Sequence, residues 1–184
     1  MPKGKGKKGK GKGNKEENDV FFKQKEAQVK EMLKTLYAIY DPDETETIKE
    51  EDFNDFVRSL GLYPTNAKLK EIAAQCREDE TNTFFNCPKL ESVLVPLVID
   101  AMINPNSELA PPSEEKLLLA LKSLDLEHKG HLTEGDFRTI LSSNGEKLDP
   151  DELDPAVEEA VNPATGVVNL EIYAGHLLYN AKIF

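Results

Sequence analysis

Apolar residues recur along the chain at intervals of three and four, which is the spacing of one face of an α-helix. The first such stripe consists of Val29, Met32, Leu33, Leu36, Tyr37 and Tyr40. Shorter stripes of the same kind occupy residues 53–60, 69–76, 90–101, 117–124 and 137–141. Asp149, Pro150 and Glu152 form a capping set for a seventh helix, and an eighth is expected from about residue 171. The pattern therefore predicts an all-α fold of eight helices.

Prolines interrupt the helical pattern near the middle of the chain. Three of them fall between residues 104 and 112 and exclude a continuous helix there. We therefore expect a linker at 104–112 between two groups of four helices, at 20–103 and 113–184. Residues 1–19 begin as an alternation of lysine and glycine without apolar groups to bury, so we expect this basic tail to be disordered.

The connectors within each group match the EF-hand, a helix pair around a twelve-residue calcium loop. Such a loop needs oxygen ligands at positions 1, 3, 5, 7 and 9, glycine at position 6 and a bidentate glutamate at position 12. Four candidate loops follow, at 41–52, 78–89, 125–136 and 161–172. Their apolar residues at position 8 are Ile48, Phe85, Leu132 and Val168. Offsets of 37 and 36 residues within the pairs indicate a repeat, so we predict two EF-hand pairs, each with a short β bridge between its loops.

Loops 1 and 3 retain part of the ligand pattern. The candidate metal ligands are Asp41, Asp43, Thr45, the carbonyl of Thr47 and Asp52 in loop 1, and Asp125, Glu127, the carbonyl of His131 and Asp136 in loop 3. Lys129 of loop 3 would repel a divalent ion about 4 Å away by several kcal/mol at an effective dielectric constant of about 20. Loops 2 and 4 have lysine and isoleucine at position 12. We expect weak calcium or magnesium binding at most, in loops 1 and 3, and otherwise no cofactor.

The two halves carry similar connectors, at residues 58–65 and 145–148. Together with the paired loops, these connectors closely resemble the calmodulin family, over roughly residues 20–180. The run 121–137, the degenerate loops and the proline-rich linker most resemble the EF-hand subunits of the nexin–dynein regulatory complex of motile cilia. This resemblance implies an adaptor in the cytoskeleton of the ciliary or flagellar axoneme, in the cytoplasm, that binds helical or coiled-coil partner subunits. It also implies a part in regulating dynein-driven microtubule sliding and axoneme alignment.

Charge is distributed unevenly along the chain. The net charge is −11, but residues 1–15 carry seven lysines and no acidic residue, which leaves −18 on residues 16–184. An acidic helical body favours a basic amphipathic helix as its partner. The chain has only three methionines, so a groove formed by Leu, Val, Ile and Phe suits one dedicated partner better than many.

The basic tail has two interpretations. Its lysines keep the protein soluble, or they dock it on an anionic surface such as the acidic tails of tubulin, at a strength that falls with salt. They are Lys3, Lys5, Lys7, Lys8, Lys10, Lys12 and Lys15. Nucleic acid is not an expected partner, because no aromatic or arginine residue lies between them. A membrane is not expected either, because the longest apolar run, 93–99, is short and contains a proline.

Catalysis is not expected from this sequence. His128, His131 and His176 form no HExxH motif, and the chain has neither a nucleophile elbow nor a phosphate-binding loop. Cys76 and Cys87 lack CxxC spacing and are expected to be reduced thiols. The alternative to the adaptor is a calcium-sensing calmodulin-like or light-chain protein, in which loop 1 or loop 3 switches the exposure of a helix.

Overall fold

The structure is a computed structural model that describes residues 13–79 and 82–181. Within these residues the chain forms eight helices and four short strands. The elements of the first half are α1 (Gly13–Tyr40), β1 (Thr47–Lys49), α2 (Phe53–Ser59), α3 (Asn66–Cys76), β2 (Phe84–Asn86) and α4 (Cys87–Ile103). Those of the second half are α5 (Glu114–Leu124), β3 (His131–Thr133), α6 (Glu134–Ser143), α7 (Pro150–Ala160), β4 (Val167–Asn169) and α8 (Leu170–Ala181). The predicted all-α class is confirmed.

Side-chain caps fix where several of the helices begin. The hydroxyl of Ser113 accepts a hydrogen bond from the backbone N–H of Lys116 at 3.3 Å, at the start of α5. Asp149 and Glu152 form the expected capping box of α7, in which Asp149 accepts from the N–H of Glu152 at 3.0 Å and Glu152 accepts from the N–H of Asp149 at 3.2 Å. These bonds satisfy amides that have no partner inside the helix.

The strands join the calcium loops in pairs. β1 and β2 are antiparallel with Ile48 opposite Phe85, and β3 and β4 are antiparallel with Leu132 opposite Val168. The residues at position 8 therefore pair as the sequence predicted. All four side chains are buried, so the bridges hold the loops together by apolar packing as well as by backbone hydrogen bonds.

The chain forms two compact units. The first, lobe 1, contains the residues up to Pro64 and Lys68–Ala110, and the second, lobe 2, contains Thr65–Ala67 and the residues from Pro111. In lobe 1, α1 packs against α4, and the ring of Phe56 lies 5.5 Å from the ring centroids of Tyr37 and Tyr40.

Lobe 2 repeats the same arrangement. Here α5 packs against α8 and α6 against α7. Phe137 is fully buried, and its ring meets the ring of Tyr173 edge-on at 5.4 Å. Each lobe thus has its own apolar core of the kind a small domain needs to fold.

Two boundaries differ from the expectation. α1 begins at Gly13, so residues 13–19 are helical where the sequence suggested disorder; once a helix exists, each added residue gains a hydrogen bond, and Lys and Glu are good helix formers. The expected linker 104–112 is partly folded, because Leu109 is buried in lobe 1 and its carbonyl accepts from the N–H of Tyr63 at 2.9 Å. Lys3 to Lys12 of the basic tail lie outside the described residues.

Candidate calcium loops and partner groove

Loop 1 (41–52) is held together by one carboxylate. Asp41 Oδ1 accepts hydrogen bonds from the backbone N–H of Thr45 at 2.9 Å and from its hydroxyl at 2.7 Å, while Oδ2 accepts from the N–H of Glu46 at 2.7 Å. The hydroxyl bond from Thr45, with the backbone N–H bonds, holds the pKa of Asp41 below its usual value. Asp43 is exposed, and Asp52 sits at the N-cap of α2, where its side chain forms no capping bond.

Loops 1 and 3 share an unusual backbone path. Position 4 has a positive φ in both, +53° at Glu44 and +55° at His128, and so does position 6, +57° at Glu46 and +75° at Gly130. Loop 1 thus keeps the turn of an EF-hand although it has lost the glycine that normally makes it. A left-handed conformation costs a residue with a side chain roughly 1–2 kcal/mol, which the hydrogen bonds to Asp41 help to offset.

Loop 3 (125–136) also satisfies its polar groups internally. Asp125 is buried, and its Oδ2 accepts from the N–H of Gly130 at 2.6 Å. The ammonium group of Lys129 pairs with the carboxylate of Glu127, so the lysine neutralises one candidate ligand. The hydroxyl of Thr133 donates to Asp136 at 2.6 Å, which engages a second candidate ligand.

A long groove lies between α1 and α4 of lobe 1. Its cavity volume is about 810 Å³. The apolar lining residues are Phe22, Pro88, Val95, Pro96, Ile99 and Ile103, and the charged ones are Glu26, Lys30, Glu91 and Asp100. We call it the α1–α4 groove. A mostly apolar concave surface with a few charged groups at its edge has the general composition of a binding site.

The α1–α4 groove continues into an acidic cavity beside loop 1. This second cavity of about 440 Å³ shares Pro88 and Glu91 with the first. Its remaining lining residues are Lys34, Tyr37, Ala38, Asp41, Glu44, Glu46 and Cys87. The hydroxyl of Tyr37 donates to the carbonyl oxygen of Cys87 at 3.2 Å and so links α1 to the start of α4. One continuous surface is therefore mostly apolar at one end and acidic at the other.

The chain is similar to several EF-hand proteins. No family model matches it. A probable calcium-binding protein, CML7, of Oryza sativa subsp. japonica is 30% identical over 140 residues, which cover 76% of this chain and 85% of that protein. This chain belongs to the calmodulin superfamily of EF-hand proteins. Another member, dynein regulatory complex protein 8 of Mus musculus, is 23% identical over 147 residues, covering 80% of this chain and 86% of the relative.

Solved structures of the superfamily share this fold. The Physarum polycephalum myosin II regulatory domain superposes with a TM-score of 0.60 at 24% identity, covering 79% of this chain and 91% of that one. A second structure is that of Mlc1p bound to IQ2 of Myo2p, a class V myosin. It superposes with a TM-score of 0.59 at 19% identity, covering 79% of this chain and 96% of that one. At these identities the likeness extends to the fold alone.

The superfamily implies calcium, and the donor groups of this chain do not fit a complete EF-hand calcium site. Loop 4 has Val161, Pro163 and Ile172 at positions 1, 3 and 12, which offer no carboxylate. In loop 2, Lys89 stands where the bidentate glutamate belongs. Throughout the part of the chain that the structure describes, no three His, Cys, Asp or Glu side chains are grouped so that they could hold a metal ion.

The sequence patterns predicted the loops but not the groove. Of the candidate ligands in loop 1, the structure joins Asp41 to Thr45, and Thr45 to Thr47 through their hydroxyls at 2.8 Å. Phe22 precedes the first apolar stripe, and Ile103 follows the fourth stripe. Helical periodicity therefore did not indicate that either residue lines a binding surface. The apolar triplet 20–22, at the start of an otherwise polar stretch, was the available signal.

The two cysteines lie in the interior of lobe 1. Cys76 and Cys87 are free and buried, and burial raises the pKa of Cys76 to about 12 and that of Cys87 to about 11. Such thiols stay protonated at neutral pH and react slowly. Among the helices of the described segments, none is both long and apolar enough to cross a membrane.

Replacing Asp41 by alanine is expected to destabilise lobe 1 at neutral pH, because the hydroxyl and N–H of Thr45 and the N–H of Glu46 lose their acceptor. The pKa of Asp41 is lower in the folded state, so its contribution is complete above the unfolded value of 3.8 and is lost as the pH falls through the folded value. Urea unfolding from pH 7 to pH 3 measures this. The difference in the free energy of unfolding between wild type and variant should stay constant down to about pH 5 and become smaller below about pH 4.

The matched control for this prediction is Asp43→Ala, an exposed carboxylate in the same loop. It should leave the urea midpoint close to that of the wild type at every pH. Equal effects of the two substitutions would show that Asp41 does not hold the loop.

Proposed function

We propose that this protein is a structural and regulatory adaptor of the nexin–dynein regulatory complex in the axoneme of cilia and flagella. The observation that supports this role is its similarity to dynein regulatory complex protein 8, which extends over 80% of this chain and 86% of the mouse protein. In this role it binds helical segments of coiled-coil partner subunits and helps to regulate dynein-driven sliding and axoneme alignment. It contributes no catalysis of its own.

The structure suits an adaptor that binds without a calcium signal. The β bridges and the hydrogen bonds of Asp41 and Asp125 hold loops 1 and 3 in place with the chain's own groups. The α1–α4 groove offers apolar side chains at its surface while the core of lobe 1 stays closed. A partner helix can therefore dock on a surface that is already formed, which lowers the ordering cost of binding.

Axoneme extraction tests the location. A tagged copy of the full chain, expressed in a ciliated cell, should remain with demembranated axonemes in mild salt and should co-purify with coiled-coil subunits of the regulatory complex. Release of all the protein in mild salt, together with the soluble matrix proteins, would contradict the proposal.

The basic tail is proposed to add a second, electrostatic contact with the acidic tails of tubulin. Deleting residues 1–15 should weaken co-sedimentation with microtubules at low salt, and the difference should disappear at high salt. Replacing the seven lysines by glutamine is the matched control for charge alone. Equal sedimentation of all three proteins would show that the tail only keeps the protein soluble.

A calcium-sensing role is the second candidate. CML7, which is 30% identical to this chain, is named as a probable calcium-binding protein, and loops 1 and 3 keep aspartate at position 1. Calcium and then magnesium titrated into the full chain distinguish the two roles by calorimetry. Calcium binding with a micromolar dissociation constant that is lost in Asp41→Ala would favour the sensor. Silence up to millimolar calcium would favour the calcium-independent adaptor.

A further inference from the structure

We propose that the α1–α4 groove of lobe 1 binds a single amphipathic helix of a partner protein, with large apolar side chains at one end and lysine or arginine side chains at the other. The apolar end lies at Phe22 and Ile103, and the acidic end lies beside loop 1. This inference rests on the proposed adaptor role and adds to it the docking face, its direction and the chemistry of its partner.

The groove lies beside the core that stabilises lobe 1 and shares one buried residue with it, Val95. Val29 and Leu33 on α1, and Leu90 and Leu94 on α4, are buried in the core. The groove is lined from the same helices by other positions, Phe22, Glu26 and Lys30 on α1 and Pro96, Ile99 and Ile103 on α4. A partner can occupy the groove without opening the lobe.

The apolar end presents side chains that remain exposed in the folded lobe. Phe22 is 47% exposed and Ile103 is 39% exposed, and both line the cavity beside the half-buried Ile99. Exposed large apolar residues that gather at one concave surface indicate a binding site, whereas isolated ones do not. Covering them with leucine- or phenylalanine-sized side chains removes that surface from water.

The charges of the groove indicate a basic partner. Six carboxylates line its two cavities, against two ammonium groups. Both ammonium groups are already paired, Lys30 with Glu26 at 2.8 Å and with Glu91 at 3.5 Å, and Lys34 with Glu31 at 3.4 Å.

Three of the six carboxylates lie at the loop 1 end of the groove. Asp41, Glu44 and Glu46 belong to the acidic cavity beside loop 1, and Glu44 and Glu46 are exposed. Cationic side chains of a partner would meet complementary charge there, and carboxylates would be repelled.

Proline chemistry adds a polar feature to the apolar wall. Pro96 lies inside α4 and has no N–H to donate to the carbonyl of Ser92, four residues earlier. Ser92 and Pro96 both line the groove. The carbonyl of Ser92 therefore lacks the donor that the helix would supply four residues later.

The length of the groove sets the length of the partner. Along α1 and the first residue of loop 1 it extends from Phe22 to Asp41. At 1.5 Å per residue these nineteen steps span about 28 Å, or roughly five helical turns. A partner helix of about twenty residues matches this length, with its apolar stripe in one half and its basic residues in the other.

Fluorescence anisotropy with the full chain tests the proposal. The probe is a labelled 20-residue helical peptide with leucine and phenylalanine at helical spacing in its first half and lysine on the same face in its second half. We expect saturable binding that weakens roughly tenfold or more in Phe22→Asp and in Ile103→Asp. The same peptide with glutamate in place of each lysine should bind at least tenfold more weakly.

The matched control is Phe21→Asp. Phe21 is the neighbouring residue on the same helix and is 43% exposed, but it does not line the groove. It should change the affinity less than twofold. Far-UV circular dichroism of each variant checks that the fold is retained. Equal losses in Phe21→Asp and Phe22→Asp, equal binding of the lysine and glutamate peptides, or no binding at 100 µM protein (roughly the weakest useful affinity) would each overturn the proposal.

Two further measurements separate the alternatives. If sedimentation equilibrium shows a dimer that Phe22→Asp abolishes, the groove binds a second copy of this chain and the proposal is wrong. Axoneme association that survives Phe22→Asp with Ile103→Asp would contradict the groove and leave the adaptor role standing. Peptide discrimination by a wild-type protein that does not associate with axonemes would support the groove and contradict the axonemal location.

Discussion

Replacing Phe56 by alanine is expected to lower the free energy of unfolding of lobe 1 by about 3–5 kcal/mol. The ring is fully buried between Tyr37, stacked at 5.5 Å, and Tyr40, edge-on at 5.5 Å. Its removal forfeits the transfer free energy of the ring and leaves a cavity that the two tyrosines cannot fill without leaving their own partners. Urea unfolding followed by tyrosine fluorescence measures the change.

The matched control for Phe56 is Phe84, which belongs to the same lobe but is 45% exposed. Phe84→Ala should cost less than about 1 kcal/mol, because little of its surface leaves water on folding. A similar loss from both substitutions would mean that burial in the structure does not govern the stability of lobe 1.

Replacing Ile48 by alanine is expected to lower the free energy of unfolding of lobe 1 by about 2–5 kcal/mol. Ile48 is fully buried and lies opposite Phe85 in the bridge between loops 1 and 2. If apolar packing holds this bridge, millimolar calcium should not restore the lost stability. Urea unfolding with and without calcium makes the measurement.

Ile39, which is 65% exposed on α1, provides the matched control for Ile48. Ile39→Ala should stay within about 0.5 kcal/mol of the wild type. Restoration of the Ile48→Ala variant by calcium would contradict the adaptor, because the loops would then gain their order from a metal ion.

The stability of the ion-free loops is relevant to function as well as to folding. A calcium sensor changes conformation when its loops bind the ion, so its loops need the ion to reach one of their two conformations. Here the carboxylates of the loops are already engaged within the chain. Asp41 and Asp125 accept hydrogen bonds from backbone N–H groups of their own loops, and Glu127 pairs with Lys129. The loss of calcium ligands leaves the fold intact, because the position 8 residues and the apolar helix faces hold each lobe together.

The architecture of this protein could be predicted from local sequence patterns alone. A helical period of 3.6 residues, repeated eight times, and loop offsets of 37 and 36 residues were sufficient for two EF-hand pairs bridged at Ile48–Phe85 and Leu132–Val168. The loss of ligands was equally visible, because a lysine or a valine at a ligand position changes the donor set whatever the fold. Periodicity and ligand type are local properties, so they can be read without coordinates.

The position of the groove and the hydrogen bonds of the loop carboxylates depend on the folded structure. Phe22 and Ile103 are 81 residues apart and line the same cavity because α1 packs against α4. Leu109 looked like part of a linker, yet the core of lobe 1 buries it. Asp41 was a candidate ligand in the sequence and a hydrogen-bond acceptor in the fold. The physical reason is that burial and hydrogen-bond partners depend on contacts between distant residues, which local spacing does not encode.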